Sequence, residues 1–294
     1  MRQSPPRRIT IAMLGLGSMN GAILAGLLAS GVEHTDVVAT TRSTGSAQEK
    51  SRLLGIEVLA EDDDPEANRR AAQRADVVFL GVKPYGITEL AADIRESLSA
   101  QAVVVSVAAG ITVEALQSAL GPDRAVIRAM PNTPLSVGLG VVGLAPSSAA
   151  STEQVEDVAG LLRSCASVHV IDESQIDALT GVSGSGPAYA FYLAESMARG
   201  GVELGLDPEL AAEIAAHTVY GAGKMLVTRR PGQGTESGQD AAQLRKAVCS
   251  PNGTTERAIN TLDDSGFPAA VAQAVRASAT RAGEMTQELC GPAD

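Results

Sequence analysis

Residues 246–259 read KAVCSPNGTTERAI, loop and capping residue types set between helical stretches. Pro251 stops one helix, and Asn252 with Gly253 supplies a turn. Thr254 or Thr255 can cap the helix that follows, and Glu256 favours its positive end. Taken alone, this is an ordinary helix-to-helix turn. The same pattern also suits an anion site, in which free backbone N–H groups at the helix start receive a small carboxylate. Cys249 beside the turn has the type of a nucleophile, but no histidine lies near it in sequence and it reads as a passive thiol.

A second site is written near the beginning. ITIAMLGLGSMNGAILAGLLASG predicts a buried strand over 9–14, a turn Gly15-Leu16-Gly17 and a helix from about Ser18. Glycines there let the backbone approach a dinucleotide pyrophosphate, whose charge the helix start favours. Asn20, followed by Gly21, replaces the third glycine of the G-x-G-x-x-G fingerprint, which predicts a helix set slightly off the strand. The next strand, DVVATTRSTGS, ends in Thr40-Thr41-Arg42-Ser43. An acid at that place usually holds the ribose 2′-hydroxyl of NAD. Arg42 with hydroxyl neighbours suits the 2′-phosphate of NADP instead, the plain alternative being a solvated turn cation.

The elements that must position these groups follow from the apolar pattern. GIEVLA, DVVFLGV, AVVVSVAAG and RAVIRAM alternate with helical connections such as PEANRRAAQRA. Such continuous apolar strands predict a parallel sheet with both faces covered, and ligands outside its carboxyl ends, here VKP, SVAAGIT and RAMPNTP. Acidic EDDDPE, 61–66, reads as a solvated loop, since no histidine or further oxygen ligand accompanies it as a metal site would require. A last α/β unit runs through TEQVEDVAGLLRSCA and SVHVID, after which strands cease. From QIDALTGVSGSGPAYAF onward the chain is Ala-rich and helical, with Pro187 near the first turn of one helix. RRPGQGTESGQD, 229–240, reads as a mobile loop. The final helix, PAAVAQAVRASATRAGEMTQEL, carries an apolar face too long for one subunit to bury, which predicts a subunit interface. The expected organisation is an NADP-binding Rossmann-like α/β domain with a parallel sheet over 1–172, then an all-α substrate-binding and dimerisation domain over 173–294.

Composition limits the alternatives. The 294 residues are 45% hydrophobic but only 2% aromatic, so the core must be Ala, Val, Leu and Ile. A net charge of −11 leaves no basic surface for nucleic acid. Cys165, Cys249 and Cys290 are odd in number and far apart, which predicts no disulfide framework and a cytoplasmic location. The uncharged run from Ile9 to Val32 has the length of a membrane span, but its glycines and Asn20 break it into strand, turn and helix.

Over nearly its whole length the sequence resembles the pyrroline-5-carboxylate reductases, through GLGSM, VKP, SVAAGIT, RAMPNTP, DALTGVSGSGPAYAF, ARGGVELGL and SPNGTTERAI. The resemblance implies a Rossmann domain, a helical domain that interlocks with that of a second subunit to form a homodimer, and in many members a decamer. It implies NADPH as cofactor, with NADH possible. It assigns the cofactor to Leu14, Gly15, Leu16, Gly17, Ser18, Met19, Arg42, Ser43, Asn68, Val82, Lys83, Pro84, Ala108, Ala109 and Gly110. It assigns the substrate to Glu173, Ser250, Gly253, Thr254 and Thr255, with Thr255 as the catalytic contact. Asn20, Asn252 and Ala247 depart from the family pattern.

Reducing a cyclic imine needs a hydride donor, a fixed C=N bond and a proton for nitrogen. An imine near its own protonation midpoint needs no strong acid, so His34, His169 and His217 are not required for catalysis. A 3-hydroxyacid-type dehydrogenase would need a helical lysine, for which Lys224 is the candidate, although it reads as snorkelling at a helix surface. A non-catalytic NADP-binding regulator would have no need of the SPNGTT turn.

Overall fold

The computed structural model describes residues 8–228 and 240–291, so residues 229–239 of the expected mobile loop lie outside the described residues. The chain divides into two compact units. One holds the residues up to Gly184 together with those from Arg276 onward, and the other is Ser185–Val275.

The first unit alternates strand and helix: β1 (Ile11–Leu14), α1 (Ser18–Ala29), β2 (Val37–Thr41), α2 (Thr44–Leu54), β3 (Glu57–Ala60), α3 (Ala67–Gln73), β4 (Val77–Leu80) and α4 (Ile87–Ile94). It continues through β5 (Val103–Ser106), α5 (Val113–Leu120), β6 (Val126–Pro131), β7 (Gly140–Pro146), α6 (Thr152–Leu162) and β8 (Ala166–Val170). A short α7 (Ile176–Leu179) then runs into a π-helical turn, Thr180–Gly184.

The strands form one sheet in the order β3-β2-β1-β4-β5-β6-β7-β8. β1, β4 and β5 are buried at every position. Ile11, Met13, Phe79 and Val105 fill one face of the sheet, and Ala12, Leu14, Val78 and Val104 fill the other. Side chains alternate between faces, so a strand covered on both sides reads as an unbroken apolar run. From β1 the chain runs outward through β2 and β3, then crosses back to β4 on the other side of β1, and the crevice at this reversal is where such sheets bind ligands.

The sheet is parallel, as expected, except at one pair, where β7 lies antiparallel to β6. Only residues 132–139, with the short turn Thr133–Val137 and Gly138 at φ +73°, separate the two strands. That is room for a reversal but not for a crossover helix. α6 then supplies a crossover, and β8 returns parallel to β7. β7 itself reads GVVGLAP, an apolar run interrupted by Gly143.

The first compact unit runs on past β8 to Gly184, and residues of this stretch bond back to the sheet. Glu173 accepts from the Val113 N–H, and Asn132 donates to the Ser183 carbonyl.

The second unit is helical: α8 (Gly186–Glu203), α9 (Pro208–Val227), α10 (Ala241–Val248), α11 (Thr254–Asp264) and the start of α12 (Phe267–Cys290). Pro187 sits in the first turn of α8, as expected, and Asp207 caps α9. α8 and α9 pack together, with Gly201 against Leu206 and Ala211. Among this unit's described residues only Ala211 and Ala215 are buried, while Phe191, Tyr192, Met197, Leu210, Ile214 and Tyr220 are exposed. A single copy of this unit therefore has no core of its own. No helix of the described residues is long and apolar enough to cross a membrane.

Candidate active site

The glycine turn is built at the β1/β4 crevice. Gly15 has φ +76°, and a side chain there would press on Val82, with its Cγ1 only 2.6 Å away. Only glycine meets both demands. The Gly15 N–H donates to Thr40 Oγ1 at 3.0 Å, and the Thr40 hydroxyl donates to Asn68 Oδ1 at 2.7 Å. Asn68 thus acts on the turn through Thr40, a buried residue that the sequence reading had grouped with the phosphate-side hydroxyls. Thr41 likewise spends its hydroxyl internally, on the Ser43 carbonyl at 3.2 Å. Lys50 donates to the Leu16 carbonyl at 2.8 Å, a support that no motif signalled.

At the start of α1, Gly17 is the N-cap, no side chain caps the helix, and no acid stands in its first turn. The N–H groups of Ser18 and Met19 lack intrahelical partners and are available to an anion. Asn20 is fully buried and bonds to the turn. Ser43 caps α2, accepting from the Ser46 N–H at 3.4 Å, and that helix start also lacks acids. Arg42 beside it is exposed, and its side chain makes no hydrogen bond or ion pair among the described residues. The acidic loop runs alongside, with the Glu61 and Asp62 N–H groups on the Thr41 and Arg42 carbonyls. Farther along this loop, Asp64 pairs with Arg70 and Glu66 with Arg69. A cradle only glycine can form and two uncapped or acid-free helix starts fit a dinucleotide.

Further along the carboxyl edge, Lys83 is exposed, Val82 and Pro84 are half-buried, Ala108 is buried and Ala109 half-buried. Gly110, at φ +79°, is covered by Met285 and Leu289 of α12, and Cys290 Sγ donates to its carbonyl at 3.3 Å. Its glycine requirement is thus met by helix packing. At the end of β6, Asn132 gives its amide to the Ser183 carbonyl at 3.0 Å and accepts from the Val141 N–H at 2.8 Å. RAMPNTP and VSGSGP, separate motifs in sequence, are thereby joined.

Glu173 holds Arg128, which is almost fully buried, at 3.0 Å, and the same oxygen accepts from the Val113 N–H at 2.8 Å. These bonds anchor the segment after β8 to β6 and α5. Glu173→Gln is expected to lower unfolding free energy by about 1–3 kcal/mol, discounted because the carboxylate is one-third exposed. Chemical denaturation checks this. A raised Michaelis constant for substrate at unchanged stability would make Glu173 a substrate contact, as the resemblance implies.

The SPNGTT turn follows α10. Neither threonine caps α11, contrary to expectation: Gly253 is the N-cap, and Thr254 and Thr255 occupy the first helical turn without a side-chain cap. Glu256 turns its carboxylate back to the Asn252 N–H at 2.8 Å, leaving the first N–H groups of the helix free of it. The Gly253 N–H donates to the Ser250 carbonyl at 2.9 Å, and a Cβ on Gly253 would stand 3.0 Å from that carbonyl. Thr254 is exposed and Thr255 half-buried, and the Thr255 hydroxyl makes no hydrogen bond among the described residues. Cys249 is half-buried beside Lys246, with no histidine among the residues lining its pocket.

Comparison with known proteins agrees with both halves of this geometry. Residues 173–285 match a family model described as pyrroline-5-carboxylate reductase dimerisation, and residues 10–110 one described as NADP oxidoreductase, coenzyme F420-dependent. Pyrroline-5-carboxylate reductase of Pseudomonas aeruginosa is 37% identical over 97% of this chain and 99% of its own. That of Escherichia coli is 38% identical over 90% and 94%. The chain belongs to the pyrroline-5-carboxylate reductase family. A solved reductase of Coxiella burnetii superimposes with a TM-score of 0.86 at 32% identity, covering 95% of this chain and 99% of the other.

Within this family two departures have physical readings. Asn252 has φ +59°, the left-handed region that asparagine tolerates better than other residues bearing a side chain. Ala247 is exposed near the end of α10. Membership in a family with this dimerisation region, and a helical unit without its own core, together mean that the chain oligomerises.

Proposed function

We propose that this oxidoreductase reduces 1-pyrroline-5-carboxylate to L-proline in the cytoplasm, as a homodimer or a larger assembly of dimers, with NADPH preferred over NADH. The observation that carries the reading is the open start of α11, an uncapped helix end beside an unpartnered hydroxyl, in a chain of this family. It suits a small carboxylate that carries a basic nitrogen.

A bound reduced nicotinamide would supply the hydride that the imine carbon needs. The Gly15–Met19 turn would hold the cofactor pyrophosphate, and Arg42 with the start of α2 would hold a 2′-phosphate. The free N–H groups of Thr254 and Thr255 hold the substrate carboxylate, next to Ser250 and Gly253. The Thr255 hydroxyl donates to the ring nitrogen, fixing the C=N bond and helping to deliver the proton that completes the amine. NADPH is favoured by Arg42 and the acid-free α2 start, and opposed by the neighbouring Glu61 and Asp62.

The reaction is tested by following loss of reduced-nicotinamide absorbance with the cyclic imine and, separately, with 3-hydroxyacid and ketoacid pairs. Turnover of the hydroxyacid pair alone would replace this reading. Lys224, the residue that chemistry would need, is exposed in the last turn of α9. Cofactor binding without turnover of either would make the chain a regulator.

Light scattering at assay concentration is expected to give a dimer or a multiple of it, because the exposed apolar side chains of α8 and α9 need a partner. A folded, active monomer would defeat this expectation.

A further inference from the structure

We infer that Asn20 is a positioning residue for the cofactor, and that Gly81 is its matched partner. Asn20 replaces the third glycine of the fingerprint, whose usual purpose is close packing of helix on strand. Here the space is made on the strand side. Gly81, the first residue after β4, donates its N–H to the Leu14 carbonyl at 2.8 Å, and a Cβ on it would overlap the Asn20 amide. The Asn20 side chain therefore occupies the volume that Gly81 leaves open.

Its hydrogen bonds give the arrangement a purpose. Asn20 Nδ2 donates to the Leu14 carbonyl at 3.3 Å and the Gly15 carbonyl at 3.2 Å. Two carbonyls facing the amide fix which end carries nitrogen. The Gly15 N–H is held by Thr40, so the residue at positive φ is gripped through its N–H and its carbonyl. Oδ1 of Asn20 is buried without a partner among the described residues. An unmet buried acceptor costs stability, so the side chain is a poor device for folding. Both its donors instead fix the backbone that must approach the pyrophosphate. Holding that backbone in its binding conformation before the ligand arrives lowers the ordering cost of binding.

This inference rests on the cofactor reading above, and its test needs no imine. NADPH and NADH are titrated calorimetrically into the wild type, Asn20→Ala, Gly81→Ala and the double variant, with melting temperatures recorded alongside. Asn20→Ala is expected to weaken both cofactors by about the same factor, roughly 5-fold, since it loses loop geometry rather than a phosphate contact. Gly81→Ala should weaken binding at least as much by displacing the amide. In the Asn20→Ala background, where that amide is gone, it should add less than about 2-fold. Wild-type affinities in Asn20→Ala, with only the melting temperature changed, would overturn the positioning role. An equal cost of Gly81→Ala in both backgrounds would overturn the pairing, and a loss confined to NADPH would make Asn20 a phosphate contact instead. No binding of either cofactor by the wild type would overturn the cofactor reading and this inference together.

Discussion

Arg42→Ala is expected to raise the Michaelis constant for NADPH about 10- to 150-fold while leaving that for NADH within about 2-fold. The two cofactors differ only by the 2′-phosphate, so a residue that touches only that group separates them. Arg42 is suited to it because its guanidinium is exposed and has no partner among the described residues, so binding breaks no existing ion pair. Ser43 closes the start of α2 through its oxygen and keeps a hydroxyl proton to donate. The backbone of Glu61 and Asp62 lies on that of Thr41 and Arg42, which sets two acidic positions along the same edge. Their repulsion of a phosphate works against Arg42, and the ratio of the two Michaelis constants reads the balance. Equal changes for both cofactors would remove Arg42 from the phosphate site, and no change for either would leave it a solvated turn cation.

The parts of this molecule legible in sequence are those where one residue type answers one local demand. The β1–Gly15–α1 segment could be read because a buried strand, a glycine at positive φ and an apolar helix follow each other within a few residues. Thr40 and Asn68 could not be read as a pair, because they lie 28 positions apart and only the sheet brings them together behind Gly15. The partnership of Asn20 with Gly81 was hidden for the same reason. Read singly, Asn20 looks like a fault in a fingerprint, and its compensation sits just past the end of β4. β7 was missed because glycines interrupt its apolar run. Glu173 was recognised by motif, yet the motif carried no sign that its carboxylate is already held by Arg128 and Val113. At 246–259 the turn itself was legible from Pro251 and Gly253. Which residue caps the helix was not, since Ser, Thr, Asn and Gly all serve in that place.

Thr255→Ala is expected to lower turnover of the imine about 5- to 150-fold, the consequence of losing one hydrogen bond of ~1–3 kcal/mol to the reacting group. The structure makes this substitution a clean one. Gly253, not Thr255, is the N-cap, and the Thr255 hydroxyl makes no hydrogen bond among the described residues. Removing it forfeits no cap, and alanine is the better helix former, so melting temperature should hold or rise slightly. The backbone N–H of residue 255 is unchanged, so the substrate carboxylate keeps its seat and the substrate Michaelis constant should move less than the turnover number. Affinity for NADPH should be near that of the wild type, because the cofactor contacts proposed here are all outside the SPNGTT turn. Thr255→Ser keeps the hydroxyl and should retain much of the activity, whereas Thr255→Val keeps the shape and should behave like alanine. Steady-state kinetics on the four proteins, with a calorimetric NADPH titration of each, separates these outcomes. If Thr255→Ala reduces the imine at the wild-type rate, the nitrogen is held elsewhere, and the open start of α11 serves the carboxylate alone.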